Sequence, residues 1–160
     1  MKSIVMYSSK NGYALECAHQ IVEGIRQEGN EAELAEIGKD TRKINLADYE
    51  TVIIGGGIHA GHLSGSLRRY CMKHEGELRS KRLGLFVCGT DKDHQDKQFT
   101  DNFPQSLLDV AVTKGWFGGR IIFAQQKGVM RFVLKKLLKG EHDVHDERPD
   151  AVTSFVSDIG

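Results

Sequence analysis

The chain of 160 residues contains no Cys-x-x-Cys pair, and its three cysteines, Cys17, Cys71 and Cys88, lie far apart. A disulfide framework and a zinc knuckle are therefore not indicated, and a reducing cytoplasm is the expected compartment. No apolar run approaches the ~20 residues of a membrane span. Neither charge is in excess: Lys+Arg and Asp+Glu both number 22. A whole-chain basic footprint for nucleic acid is thus absent. There is no Gly-x4-Gly-Lys-Ser/Thr loop for a nucleoside triphosphate. A Cys-x5-Arg phosphatase loop is missing too, since six residues past the cysteines stand Glu23, Glu77 and His94. A phosphoacceptor receiver needs acidic residues after its first strand and at the end of its central one, where this chain has Ser8 and Gly55. The opening residues run straight into a strand pattern, so no signal peptide is expected. The length suits one domain with a full core, read as 1–160.

What is present alternates between strand-like and helix-like patterns. Ile4–Tyr7 is a short apolar run, and Ala14, Ala18, Ile21, Val22 and Ile25 then repeat at helical spacing up to Gly29. Glu31–Ile37 suits an outer strand, and a polar link, Gly38–Asp48, follows. Thr51–Ile54 and Leu83–Cys88 read as strands buried on both faces. Helices are predicted over Leu67–Leu78, Phe103–Val112, Val129–Leu138 and Asp150–Ile159, and a fifth strand over Gly119–Ala124. The alternation predicts an α/β fold with a parallel sheet covered on both faces. In such a sheet ligands bind beyond the carboxyl ends of the strands, at the switch point of the strand order.

Three glycine- and polar-rich loops follow predicted core strands and so share that rim. In the first, Ser8 and Ser9 offer hydroxyls, Lys10 a charge, and Asn11 and Gly12 tolerate left-handed backbone ahead of a helix N-terminus. That combination seats a phosphate; read plainly, it is a capped strand-to-helix turn. In the second, Gly55-x-Gly57-x-x-Ala60 matches a dinucleotide fingerprint only formally, because it follows an internal strand and its helix starts later, near Ser64. It reads better as a loop that lets a flat ring approach the backbone of Gly56, Gly57 and Ile58, with His59, Ala60, Gly61 and His62 beside it. His-x-x-His also suggests a metal, but no carboxylate or cysteine nearby completes a set. The third loop, Gly89–Gln98, is polar and reads as mobile; Gly89, Thr90 and His94 are its candidates for ring or substrate contact. Trp116, Tyr13 and the histidines are the candidates for stacking on a ring.

Tyr7-Ser-Ser-Lys-Asn-Gly-Tyr-Ala14 resembles the FMN-phosphate loop of flavodoxins, whose usual form is Ser/Thr-x-Thr-Gly-x-Thr. The resemblance implies a five-stranded parallel sheet in the order 2-1-3-4-5, with Ser9, Lys10, Asn11, Gly12, Tyr13 and Ala14 around the phosphate of FMN. Lys10 replaces a usual hydroxyl residue and Ala14 a usual threonine, which leaves more of the binding to backbone donors. Ile54-Gly-Gly-Gly-Ile-His-Ala-Gly-His62, the helix ending Lys73-His74, the link before Asp48-Tyr49 and the basic-apolar segment before the last helix are similar to the flavodoxin-like, menaquinone-dependent protoporphyrinogen IX dehydrogenases. There the second and third loops flank the isoalloxazine; His59 and Ala60 differ from the Arg-Tyr type of pair expected in those enzymes.

The resemblance implies an FMN-binding redox protein, with a redox partner protein or a quinone at the other end of the electron path. Its alternatives are a protoporphyrinogen IX dehydrogenase with a quinone acceptor, and a flavodoxin-fold module that has lost its flavin. Electron-shuttling flavodoxins are strongly acidic, which steers them to basic partners; a net charge of zero sets this chain apart from them. Residues 128–139, with Val129, Met130, Phe132, Val133, Leu134, Leu137 and Leu138 among Arg131, Lys135, Lys136 and Lys139, read either as a core-facing helix or as a peripheral membrane contact.

Overall fold

The computed structural model describes residues 2–10, 12–121, 128–137 and 143–160. Strand β1 (Lys2–Ser8) leads into helix α1 (Tyr13–Gln27), and β2 (Glu31–Glu36) follows. Two short 3-10 turns, Thr41–Lys43 and Leu46–Asp48, carry the chain to β3 (Thr51–Gly57). Helices α2 (Gly65–Lys73) and α3 (Glu75–Arg79) precede β4 (Arg82–Cys88), and α4 (Gln95–Thr100) and α5 (Gln105–Val110) precede β5 (Thr113–Trp116). Then come β6 (Gly118–Ile121), α6 (Gly128–Leu137), β7 (Val144–Glu147) and α7 (Pro149–Ile159). The main sheet is parallel in the order β2-β1-β3-β4-β5, as the resemblance implied.

Alternation along the central strands builds two cores. Ile4 and Met6, Val52 and Ile54, and Leu83, Leu85 and Val87 face one way, where they meet Leu67, Cys71, Leu78, Phe103 and Leu107. Val5 and Tyr7, Ile53, and Phe86 and Cys88 face the other way, against Cys17, Ile21 and Ile25 of α1 and Phe155 and Ile159 of α7. Period-two side-chain direction thus turns each apolar run into two buried faces. Phe86, Phe117 and Phe155 lock the second core, with ring centroids 5.2, 5.4 and 6.4 Å apart. Truncating any one of them costs about 3–5 kcal/mol. All three cysteines are buried and free.

The fifth strand is not Gly119–Ala124. Thr113–Trp116 pairs with β4 at the sheet edge, and Gly118–Ile121 instead pairs antiparallel with Val144–Glu147. Gly115 allows this because Phe117 and Phe155 press on β5: a Cβ there would lie 2.4 Å from Phe117. The predicted helix Leu67–Leu78 is broken at His74, and Phe103–Val112 is helical only after Pro104. In residues 128–139 the helix runs from Gly128 to Leu137; Leu138 and Lys139 lie outside the described residues.

Candidate functional site

The carboxyl ends of β1, β3 and β4 lie side by side. Ser8 is in register with Gly56, and Gly57 with Cys88. Ile58 continues the contact, its N–H donating to the Cys88 carbonyl at 2.8 Å. All three loops therefore leave the sheet at one rim, where the strand order reverses between β1 and β3.

The first loop prepares a helix N-terminus for an anion. Gly12 caps α1 at φ 88°, a left-handed conformation, and no side chain caps the first turn. The leading N–H groups of a helix have no partner within it, and its dipole is positive there. Ser9 holds the turn by accepting the Gly12 N–H on Oγ at 3.0 Å, which leaves the hydroxyl proton to donate outward. Lys10 is exposed, and Asn11 lies outside the described residues. Ala14 is buried. The Tyr13 side chain turns away from the loop into the core, where its hydroxyl donates to the Phe117 carbonyl at 2.8 Å. Its backbone, not its ring, faces the rim.

The three glycines expected to open the second loop are instead the last residues of β3, and they do different work. A Cβ on Gly55 would stand 2.3 Å from the Phe86 ring, and one on Gly56 2.4 Å from Ser8 Oγ. Both are packing positions. Gly57 has room, its nearest neighbour being His59 Nε2 at 3.5 Å. His59 and His62 then close a tight hairpin: His59 N–H donates to His62 O at 2.8 Å and His62 N–H to His59 O at 3.0 Å. Ala60 (φ 51°) and Gly61 (φ 82°) form the turn, both left-handed, the type I′ pattern. Partial burial and the charge of Lys10 lower the His59 pKa, so its imidazole is neutral at pH 7. His62 is exposed.

The third loop is more ordered than its composition suggests. Lys92–His94 is a 3-10 turn, and α4 starts at Gln95, inside the stretch read as mobile. Two buried amides account for this. Gln98 donates to the Asp91 carbonyl at 2.9 Å and accepts from the Trp116 indole at 2.9 Å. Asn102 accepts the Leu63 N–H at 2.9 Å and donates to Gly61 O at 3.0 Å and Gln98 O at 2.8 Å, tying the second loop to α4. Trp116 is 7% exposed, with the Arg148 guanidinium 4.4 Å from its ring, so neither it nor Tyr13 offers a free face at the rim. Thr90 is exposed, and His94 is exposed with Nδ1 2.9 Å from the Asp91 carboxylate. Gly89 donates its N–H to Gly118 O at 2.8 Å.

Two concavities result. One of about 190 Å³ brings Ser8, Ser9, Lys10, Gly57 and His59 together with Ser64 and Ser66. The other, about 280 Å³, joins Ile58 and Gly61 to Asp91, His94 and Gln98. Of the residues expected at the site, Gly12, Tyr13, Gly56, Ala60, His62, Gly89 and Thr90 line neither. Sequence reasoning missed Gln98, Asn102, Ser64 and Ser66. The signal for the amides was their spacing: each precedes a phenylalanine, four residues apart, on the edge of an apolar helix face. Chemically the rim offers backbone and hydroxyl donors for an anion beside a glycine-lined slot.

Comparison with known proteins gives a consistent picture. The chain is 21% identical over 159 residues to the protoporphyrinogen IX dehydrogenase (quinone) of Escherichia coli K12, covering 92% of this chain and 86% of that one. It is 29% identical over 172 residues to the enzyme of the same name from Leishmania major, covering 99% and 74%. Among solved structures, a Streptococcus pneumoniae flavodoxin superposes with a TM-score of 0.59 at 15% identity, covering 99% of this chain and 97% of that one. A mutant flavodoxin of Fusobacterium nucleatum bound to flavin mononucleotide gives a TM-score of 0.52 at 10% identity, covering 99% and 94%. A family model described as the flavodoxin domain matches residues 4–148, and with the strand order and the switch-point loops already in place, the chain belongs to the flavodoxin-domain family.

Proposed function

We propose that this chain is an FMN-binding redox protein. The observation that carries the reading is the start of α1: a left-handed glycine cap without a side-chain cap, placed at the switch point of the sheet. The donor set fits a phosphate monoester, since the first-turn N–H groups and the Ser9 hydroxyl converge there. Ser8, Ser9, Lys10, Asn11, Gly12 and Tyr13, the last through its backbone, would hold the phosphate. Gly56, Gly57, Ile58, His59, Ala60, Gly61 and His62 from the second loop, with Gly89 and Thr90 from the third, would flank the ring. FMN supplies a centre that stores one or two electrons. The protein's part is to bind the anion, to keep side chains out of the slot at Gly57, and to hold His59 neutral beside it. The visible spectrum of the purified protein, with titration of the apoprotein by FMN and by riboflavin, tests this. Preference for FMN supports the phosphate seat; a colourless protein binding neither sinks the reading and leaves a fold without flavin.

A second reading makes the chain a protoporphyrinogen IX dehydrogenase passing electrons to a quinone. It is supported by the names of the two relatives and by α6. Val129 and Phe132 of that helix are 79% and 60% exposed, and Lys135 and Lys136 are exposed beside them. An apolar face edged by lysines suits the surface of an anionic bilayer, where a quinone would be found. No helix among the described residues is long and apolar enough to cross a membrane. Co-sedimentation with anionic vesicles, and a quinone-coupled assay with FMN-loaded protein, test contact and activity separately.

A further inference from the structure

On the far side of Ile37 and Ser66 from the first-loop cavity lies a second, larger concavity of about 440 Å³. It opens between the turn after β2 and the outer face of α2. Arg42, Arg69 and Lys73 line it, Tyr70 and His74 form a wall, and no carboxylate is among its lining residues. The three cations are exposed, and none has an ion-pair partner among the described residues. Lys2, Arg26, Lys39, Lys97, Arg120 and Arg148 each sit against a carboxylate, while Lys10, Lys43, Arg68 and Arg79 also lack one among the described residues, so what sets the groove apart is that three cations share one concavity.

The arrangement has direction as well as charge. Arg69 lies over Gly65, its guanidinium 3.0 Å from where a Cβ of that residue would be, so the glycine makes room for it. The rings of Tyr70 and His74 are 4.3 Å apart and inclined by 35°. The Tyr70 phenol is pushed up to about 12, chiefly by burial and then by Glu77, and so remains a hydrogen-bond donor. Like charges gathered in one concavity repel, and an anion between them relieves that repulsion. Arginine adds a planar fork that matches carboxylate and phosphate oxygens. Tyr70 and His74, both half-buried, line the groove beside the cations, and aromatic side chains favour contact with a flat ring.

We propose that this groove is an anion-anchoring subsite for a ligand that joins a planar aromatic ring to two or more acidic groups. It does not rest on the flavin reading, because Arg42, Arg69 and Lys73 belong to none of the three rim loops. Its lining shares Ile37 and Ser66 with the first-loop cavity, so such a ligand would lie beside that cavity.

Two probes distinguish the sources of that chemistry. A porphyrin bearing two propionates, followed by its visible absorption, represents the carboxylates; NADPH, followed by its fluorescence, represents the phosphates. Each is titrated at low salt into the full chain, with and without added FMN, so that failure to bind flavin is read separately. Binding of either probe is expected to weaken about tenfold in Arg69→Ala, the loss of one charge-assisted contact, and again on raising the salt. Lys73→Ala serves as the second variant, and Arg69→Lys is expected to recover part of the loss. Lys114→Ala, which removes a charge from β5 at the opposite edge of the sheet, should leave affinity within about twofold. Which probe binds identifies the acidic group. The proposal is overturned if neither binds, or if both Arg69→Ala and Lys73→Ala bind the probe as tightly as the unaltered chain.

Discussion

The Trp116 indole donates to the Gln98 side chain at 2.9 Å, and that bond joins the edge strand to the loop that leaves the neighbouring one. Through its other end Gln98 reaches the Asp91 carbonyl. A tryptophan that by composition alone suggests a stacking platform is instead a strut. Gln98→Ala removes both bonds: the buried Trp116 indole loses its acceptor, and the Asp91 carbonyl keeps only the His94 N–H at 3.3 Å. It is expected to cost about 1–3 kcal/mol, measured by urea unfolding, with faster amide exchange over 91–98.

Gly56 and Gly57 are expected to respond in opposite ways to the same added methyl. Gly56→Ala forces a Cβ to within 2.4 Å of Ser8 Oγ and 2.8 Å of Ser8 O, so it destabilises the junction of β1 and β3. Gly57→Ala meets only ordinary contact, so the fold and its melting temperature are retained. If Gly57 borders the flavin, that variant changes FMN affinity and moves at least one flavin potential. Unchanged potentials in a normally folded Gly57→Ala protein would remove Gly57 from the site.

Ala60 holds a left-handed conformation that costs a residue with a Cβ more than it costs glycine. Ala60→Gly relieves this at the type I′ turn and is expected to stabilise the chain by about 0.5–1 kcal/mol. Thermal melting of the two proteins under one condition checks it.

Ser3 is fully buried in β1, and its hydroxyl has no hydrogen-bond partner among the described residues. Ser3→Ala removes the stranded group at little loss of volume. A gain of about 1 kcal/mol is expected, a rise in melting temperature of about 2–4 °C.

His59 gives the site a pH dependence of definite sign. Its folded pKa lies below the ordinary 6.5, from burial first and from Lys10 second. The unfolded chain therefore takes up the proton first, and stability falls as pH drops below about 6.5. Above that value His59 contributes no slope. His59→Gln should flatten this limb, and Lys10→Gln should raise the imidazole pKa in an NMR titration.

What could be read from the residues beforehand follows from how local each signal is. β1, the turn at Ser9 and Gly12, and α1 were legible because strand, turn and helix each wrote their own period within a few residues. The glycines Gly55–Gly57 stood out in the sequence, but read as a loop; that they end β3, with Gly55 and Gly56 serving packing while Gly57 is open, was not legible. That division depends on Phe86 and Ser8, which reach those glycines only through the sheet. β5 was hidden because Thr113-Lys-Gly-Trp has four residues, a lysine and a glycine, and its apolar character is supplied by Phe117 and Phe155 lying over Gly115. The order of the third loop was hidden for a similar reason. Gln98 and Asn102 look like solvated amides until their partners at Trp116, Asp91, Leu63 and Gly61 are brought beside them.

The antiparallel pairing of Gly118–Ile121 with Val144–Glu147 has an evolutionary reading. The chain leaves at Ile121 and returns at Val144, directly opposite, so the two strands form a stem that bears α6 between them in sequence. Lengthening such an excursion adds only loop-closure entropy, about 0.6 kcal/mol for each doubling. Gly118 anchors the stem, since a Cβ there would overlap the Asp146 carbonyl. Selection is thus free to rewrite the excursion, its exposed Phe132, Lys135 and Lys136 included, while the strands that carry the three rim loops stay as they are. The excursion is thereby an exchangeable part, and the sheet its fixed chassis.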